Sequence, residues 1–121
     1  MKIKEVIENT NRLFNLEDAE YPVRLAYAIN KNRKVLLEEI NTINESKQNL
    51  IEKYCKKDEK GKPAIVDNNY QFDDKEKVDA EYKEFLETET EISIMKVSLD
   101  IVEKCDHLTL AQMNALDFMI E

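Results

Sequence analysis

Residues 22–55 read PVRLAYAINKNRKVLLEEINTINESKQNLIEKYC, and after Pro22 the stretch holds neither glycine nor a second proline. Pro22 suits a first helical position, where a missing backbone N–H costs nothing. From residue 29 onward, positions 29, 33, 36, 40, 43, 47, 50 and 54 alternate steps of four and three. Six of them are Ile29, Leu36, Ile40, Ile43, Leu50 and Tyr54. That spacing predicts one long helix over 22–55 with a heptad seam, interrupted by Arg33 and Lys47. A helix of about 34 residues extends roughly 51 Å. Helices of that length usually pair with others. The partners expected within the chain are too short to cover the seam, so a homodimer along it is expected. Arg33 and Lys47 would then fix the register.

Working back from this helix, Ile3, Val6, Ile7, Thr10, Leu13 and Phe14 recur at steps of three and four. They predict a helix over 3–14 with those residues on one face, followed by a connection over 15–21. Working forward, Cys55–Pro63 breaks the long helix with Gly61 and Pro63. Two short β-prone arms, Ala64–Val66 and Tyr70–Phe72, flank Asp67, Asn68 and Asn69. Asparagine tolerates positive φ, so a tight hairpin is expected, but an isolated pair of strands is marginal and needs support. Asp73 and Glu76 have capping-box spacing and start an acidic helix with Val78, Tyr82, Phe85 and Leu86 inward. Residues 91–97 read either as strand, because Ile92 and Ile94 alternate with polar neighbours, or as continued helix. The strand is preferred because it would support the hairpin. Ser98 is expected to cap a short helix over 99–105. Thr109 and Gln112 form a second capping box, with Leu108 and Met113 as a hydrophobic staple, opening a last helix.

The fold class is therefore mainly α with a small β element. It is a single domain over 1–121, in which a long helical hairpin carries a β-hairpin and short terminal helices pack on its base. Composition agrees. One glycine and two prolines in 121 residues are too few for the turns of an all-β fold, and 36% charged residues suit the exposed faces of helices.

Charge is uneven. Residues 1–70 hold 13 basic and 12 acidic residues, a net of +1; residues 71–121 hold 5 and 14, a net of −9. The acidic stretch 73–91 has nine carboxylates against three lysines. Its bland reading is a solvated helix face. Its sharper reading is a partner-binding surface made by Asp73, Asp74, Glu76, Glu81, Glu84, Glu87, Glu89 and Glu91. Such a surface would dock on a basic groove, because rows of carboxylates imitate phosphate charge.

Candidate chemistry is sparse. Cys105, Asp106 and His107, with Cys55 elsewhere, include metal-ligand types, but structural zinc wants four ligands in close pairs and His107 is the only histidine. No metal and no cofactor are expected. A cysteine nucleophile would need His107 as its base, and sequence neighbours in a loop seldom meet in the required geometry. One glycine allows no phosphate-binding loop. No catalytic residue is assigned, and the chain is read as not an enzyme. Lysine clusters at 31–34 and 56–62 fall short of a basic domain in a chain of net charge −8, so direct nucleic-acid binding is not expected. The two cysteines read as reduced thiols. No signal peptide and no membrane-spanning run are visible, which predicts a cytoplasmic protein.

Laid out this way, the chain resembles a group of small uncharacterised proteins of phages and prophages of Gram-positive bacteria. The resemblance covers most of the chain. It rests on the Pro22-started helix, the DEKGKP turn at 58–63, the Asn68-Asn69-Tyr70 hairpin, the acidic helix, the Ile92-Ser93-Ile94 segment and the closing LTLAQMNALDFMI at 108–120. It implies a viral context and an accessory or assembly role, and transfers no site residues. The function expected is a non-enzymatic accessory protein that binds a host or phage protein. In its sharpest form this is an acidic inhibitor of a nucleic-acid-handling or defence complex, anti-CRISPR-like. The alternative is a structural, tail or assembly factor, present in the virion, and a small enzyme is a distant third.

Overall fold

The structure is a computed structural model of the chain and describes residues 1–17 and 19–121. Asp18, part of the expected connection over 15–21, lies outside the described residues. Helix α1 spans Ile3–Phe14, α2 Val23–Tyr54, α3 Lys75–Leu86, α4 Leu99–Glu103 and α5 Leu110–Leu116, followed by a 3₁₀ turn at Asp117–Met119. Strands β1 (Ile65–Val66) and β2 (Asn69–Tyr70) form an antiparallel pair, with Ile65 opposite Tyr70 and Val66 opposite Asn69. The chain is thus mainly helical with a small β element.

Helix α2, 32 residues and about 48 Å long, is the spine. Pro22 lies just outside it in extended conformation, and its carbonyl accepts from Ala26. Helix α3 returns along the upper half of α2. Tyr54 meets Glu81 and Lys77, Lys47 lies over Tyr82, and Glu39 accepts from the Thr90 hydroxyl, so the partner residues rise in number as those of α2 fall. This is the expected helical hairpin. Below α3, α1 packs on the middle of α2. Its first turn meets the end of α3, where the Ile3 amide donates to the Thr88 carbonyl. Helix α4 packs on α2, and α5 on α1.

The heptad seam is taken up inside the chain. Ile29, Leu36 and Ile43 are buried, and Ile40, Leu50 and Tyr54 are half-buried. The polar interruptions also find partners at home. Arg33 donates to the Leu13 carbonyl from both Nε (3.4 Å) and Nη2 (3.1 Å), and its guanidinium lies 5.9 Å from the Phe14 ring centre. The Leu13 carbonyl also accepts from the Leu16 amide (3.3 Å), and a cation at this end of α1 complements the helix dipole. Lys47 sits 5.6 Å from the Tyr82 ring centre. Phe14, expected on the inward face of α1, is exposed and serves instead as the platform for Arg33.

Residues 91–97 are not a strand of the hairpin's sheet, nor helix. They pass along the base of α2 without regular structure, and only Val97 pairs as in a ladder, with Ile120 in parallel. Their polar groups are met by a side chain. Asn32, fully buried, accepts from the Met95 amide (2.8 Å) and donates to the Met95 carbonyl (3.0 Å). A carboxamide has the donor and acceptor of a peptide unit, so Asn32 replaces one rung of a β-ladder. The Lys96 ammonium donates to the Phe118 carbonyl, fixing the same segment to the 3₁₀ turn.

Boundaries differ locally. The N-cap of α3 is Asp74, which accepts from the Lys77 amide, and Asp73 lies one residue outside. The short helix ends at Glu103, and Ser98 makes no capping bond. The capping box of Thr109 and Gln112 is present, at 3.1 and 2.8 Å. The core joins α1, α2, Val97, Val102 and α5 through Leu13, Leu25, Leu36 and Leu116, each fully buried. It sits at the lower and middle parts of α2 and leaves the upper end as a projecting arm.

Candidate interaction site

The arm ends in a compact β-knob. Asp58 starts a tight loop by accepting from the amides of Lys60 (2.8 Å) and Lys62 (3.0 Å), and Gly61 takes φ +75° to close it. Positive φ costs glycine nothing, which places it here. Beyond Pro63, the second loop turns at Asp67 (φ 52°) and Asn68 (φ 66°). Two successive positive φ angles are the two-residue turn that matches the twist of paired strands. The knob is tied to the end of α2 by bridges between Cys55 and Phe72 and between Lys57 and Pro63. Hydrogen bonds from Lys56 N to Gln71 O and from Ala64 N to Lys56 O add to these. The support that the two-stranded hairpin needs therefore comes from isolated bridges to the chain leaving α2, not from 91–97.

Two positions on each strand are too few to bury a face. Ile65 and Tyr70, a cross-strand pair, are 57% and 37% exposed, and Val66 on the opposite side is 55% exposed. Ile65, Tyr70 and Pro63 line a shallow concavity of about 460 Å³ against Gln48 of α2, with Lys62 and Asp58 at its margin. Lys60 and Lys62 carry no ion pair among the described residues, whereas Lys56 is paired with Asp73 at 3.5 Å. The lysines at 31–34 form no patch, because Asn32 is buried and Arg33 clamps α1.

The acidic flank is solvated, but about half of it is spent within the chain. Glu87 is held by Lys2 (2.8 Å) and Lys4 (2.7 Å), Glu89 by the N-terminal ammonium (3.0 Å), and Asp73 by Lys56. Glu81 accepts from the Tyr54 hydroxyl (2.5 Å) and lies 3.6 Å from Lys53. Asp74 caps α3. The eight carboxylates do not form one surface with a single task. Glu76, Glu84 and Glu91 are exposed and hold no ion pair among the described residues.

Hydrogen bonds from Lys2 and Lys4 hold the Glu87 carboxyl down at about 2, and the Tyr54 hydroxyl holds that of Glu81 below its ordinary value. The unfolded chain binds a proton at Glu87 near its ordinary 4.5, while the folded chain resists until about 2. The contribution of this carboxylate is present above 4.5 and is lost as pH falls from there towards 2. Carboxyl ¹³C NMR should give a Glu87 midpoint near 2, and Glu87→Gln should flatten the acid limb of the stability–pH curve.

The Cys105 thiol lies 3.8 Å from the Glu20 carbonyl and 4.0 Å from that of Asp106, and His107 is exposed in a left-handed turn (φ 64°). Cys55 is buried at the root of the knob, at the far end of α2 from Cys105, and both thiols are free. Among the described residues no three or more His, Cys, Asp or Glu side chains gather where they could hold a metal ion, and no helix is long and apolar enough to cross a membrane.

No family model, curated protein or solved structure matches this chain. Its own surface is thus what bears on its role. Sequence reading located the two arms of the hairpin but missed their exposure. The signal was present: β-branched Ile65 and Val66 are adjacent, so one of them must face outward on any two-stranded ribbon.

Proposed function

We propose that this chain is a non-enzymatic accessory protein that binds another protein through the apolar sides of the knob at the end of the α2–α3 arm. One observation carries the reading. Ile65, Val66 and Tyr70 stand exposed on a hairpin that is fastened at its root and projects beyond the core. The apolar area these side chains leave in water adds nothing to folding, and burying it against a partner is worth about 1 kcal/mol each. Anchors of this type dominate binding energy when they fill a partner's pocket. The tip itself is polar, with Asp67, Asn68 and Asn69, which disfavours a bilayer and suits a cleft gripping the hairpin from its sides. The resemblance to proteins of Gram-positive phages and prophages supplies the setting: the host cytoplasm, with a host or phage protein as the partner.

The acidic-inhibitor reading stands second, and its support is narrower than the sequence suggested. It rests on Glu76, Glu84 and Glu91, because the other carboxylates are paired or capping. Capture from a lysate of a Gram-positive host, compared across three proteins, tests both readings. The triple variant Ile65→Ser, Val66→Ser, Tyr70→Ser should lose the partner that the parent retains, by about a hundredfold in affinity, with an unchanged melting temperature. The variant Glu76→Lys, Glu84→Lys, Glu91→Lys should retain it. The opposite pattern, with loss only on charge reversal and weaker capture by the parent at high salt, would replace the hairpin reading with the inhibitor.

A further inference from the structure

A second concavity lies away from the knob. Helices α1 and α5 leave between them a groove of about 390 Å³, floored by the buried side chains of Leu16 and Ala115 and walled by Asn11, Asn15, Asn114 and Gln112. Gln112 is the informative residue. It is 6% exposed, and its Oε1 is committed to the Thr109 amide at 2.8 Å. Its Nε2 has no hydrogen-bond partner in the chain among the described residues, yet it is not sealed off, since every fully enclosed side-chain nitrogen or oxygen there is partnered. Gln112 is also one of the residues that line the groove. A carboxamide held in place at its oxygen, with its NH₂ still open to water, has a donor to offer an occupant of the groove.

The occupant follows from what surrounds it. Asn11, Asn15 and Asn114 make no side-chain hydrogen bond among the described residues, so each offers both a donor and an acceptor. Arg12 and Glu17, also on the wall, cancel in charge. No aromatic ring lines the groove, so a nucleobase would find nothing to stack on. A neutral wall of carboxamides over a small apolar floor matches the main chain of an extended peptide, which repeats N–H and C=O in alternation. Asn32 already treats the backbone of Met95 in this way, with one bond in each direction. We propose that the α1–α5 groove binds an extended, uncharged peptide segment of a partner protein through its main chain, with Gln112 Nε2 donating to a peptide carbonyl.

The test is an NMR titration of the full chain with the capped peptide acetyl-Ser-Val-Ser-Val-Ser-amide, following the side-chain NH₂ signals of Gln112, Asn11, Asn15 and Asn114. The expected result is a saturable shift at Gln112, with affinity reduced about tenfold or more by N-methylation of the two valine amides. Ala111→Phe, which fills the groove from an exposed position, should abolish the shift without lowering the melting temperature. The knob variant Ile65→Ser, Val66→Ser, Tyr70→Ser should bind the peptide as the parent does. An unmoved Gln112 signal would overturn the proposal, as would equal shifts with the N-methylated peptide or with adenosine.

Discussion

Replacing Asn32 with leucine should lower stability by about 3 kcal/mol, because the Met95 N–H and C=O are then left without partners inside the protein and each such loss costs about 1–3 kcal/mol. For a chain of this length that corresponds to a fall of about 12 °C in melting temperature. Leucine is close in size and better suited to a helix, so neither a large cavity nor a propensity loss contributes. The control is Asn44→Leu, on the exposed side of the same helix, which should stay within about 0.5 kcal/mol. Asn32→Asp adds a directional check. The carboxylate keeps the acceptor for Met95 N but turns a charged oxygen towards the Met95 carbonyl. Burial raises its folded-state pKa above the unfolded value, so this variant should gain stability on acidification, opposite to the trend set by Glu87. Calorimetry across pH 3–7 and hydrogen exchange at the Met95 amide read both effects.

Leu36→Ala should cost about 3 kcal/mol, and Leu37→Ala less than about 0.5 kcal/mol. The two positions are adjacent in sequence and identical in chemistry. Leu36 is fully buried in the core, and Leu37 is 49% exposed. The first substitution removes buried methyl groups and leaves a cavity; the second replaces solvated leucine by alanine, a slightly better helix former. Equal effects would mean that α2 is not rotated as described. Urea denaturation of the two variants, with unchanged m-values, gives the comparison directly.

These contrasts explain what could be read in advance. The α2 spine was legible because thirty-odd residues without a breaker and with period-3.5 apolar spacing allow little else. Helix α1 and the α5 capping box were legible for the same local reasons. What the seam meets was not, since Ile29, Leu36 and Ile43 look alike whether they bury against a second copy or against α1. Arg33 read as a register device because its acceptor, the Leu13 carbonyl, is a backbone group that no side-chain pattern announces. Residues 91–97 misled for a related reason. Their alternation is that of a strand, but the backbone of Met95 is met by the side chain of Asn32, sixty-three residues away. The acidic flank was visible as composition. Its division into paired Glu81, Glu87 and Glu89 and unpaired Glu76, Glu84 and Glu91 depends on where α1 and the end of α2 lie. The knob was placed correctly as a hairpin, and its supporting strand was sought on the wrong side of the chain.

Site-specific photocrosslinking tests the hairpin reading most directly. A benzophenone side chain is introduced singly at Tyr70, at Glu84 and at Glu38 on the outer side of α2, and each protein is irradiated in host lysate. The account predicts one dominant adduct at position 70, competed by unlabelled parent and not by the Ile65→Ser, Val66→Ser, Tyr70→Ser variant. A dominant adduct at position 84 with none at position 70, or equal labelling at all three, would contradict it.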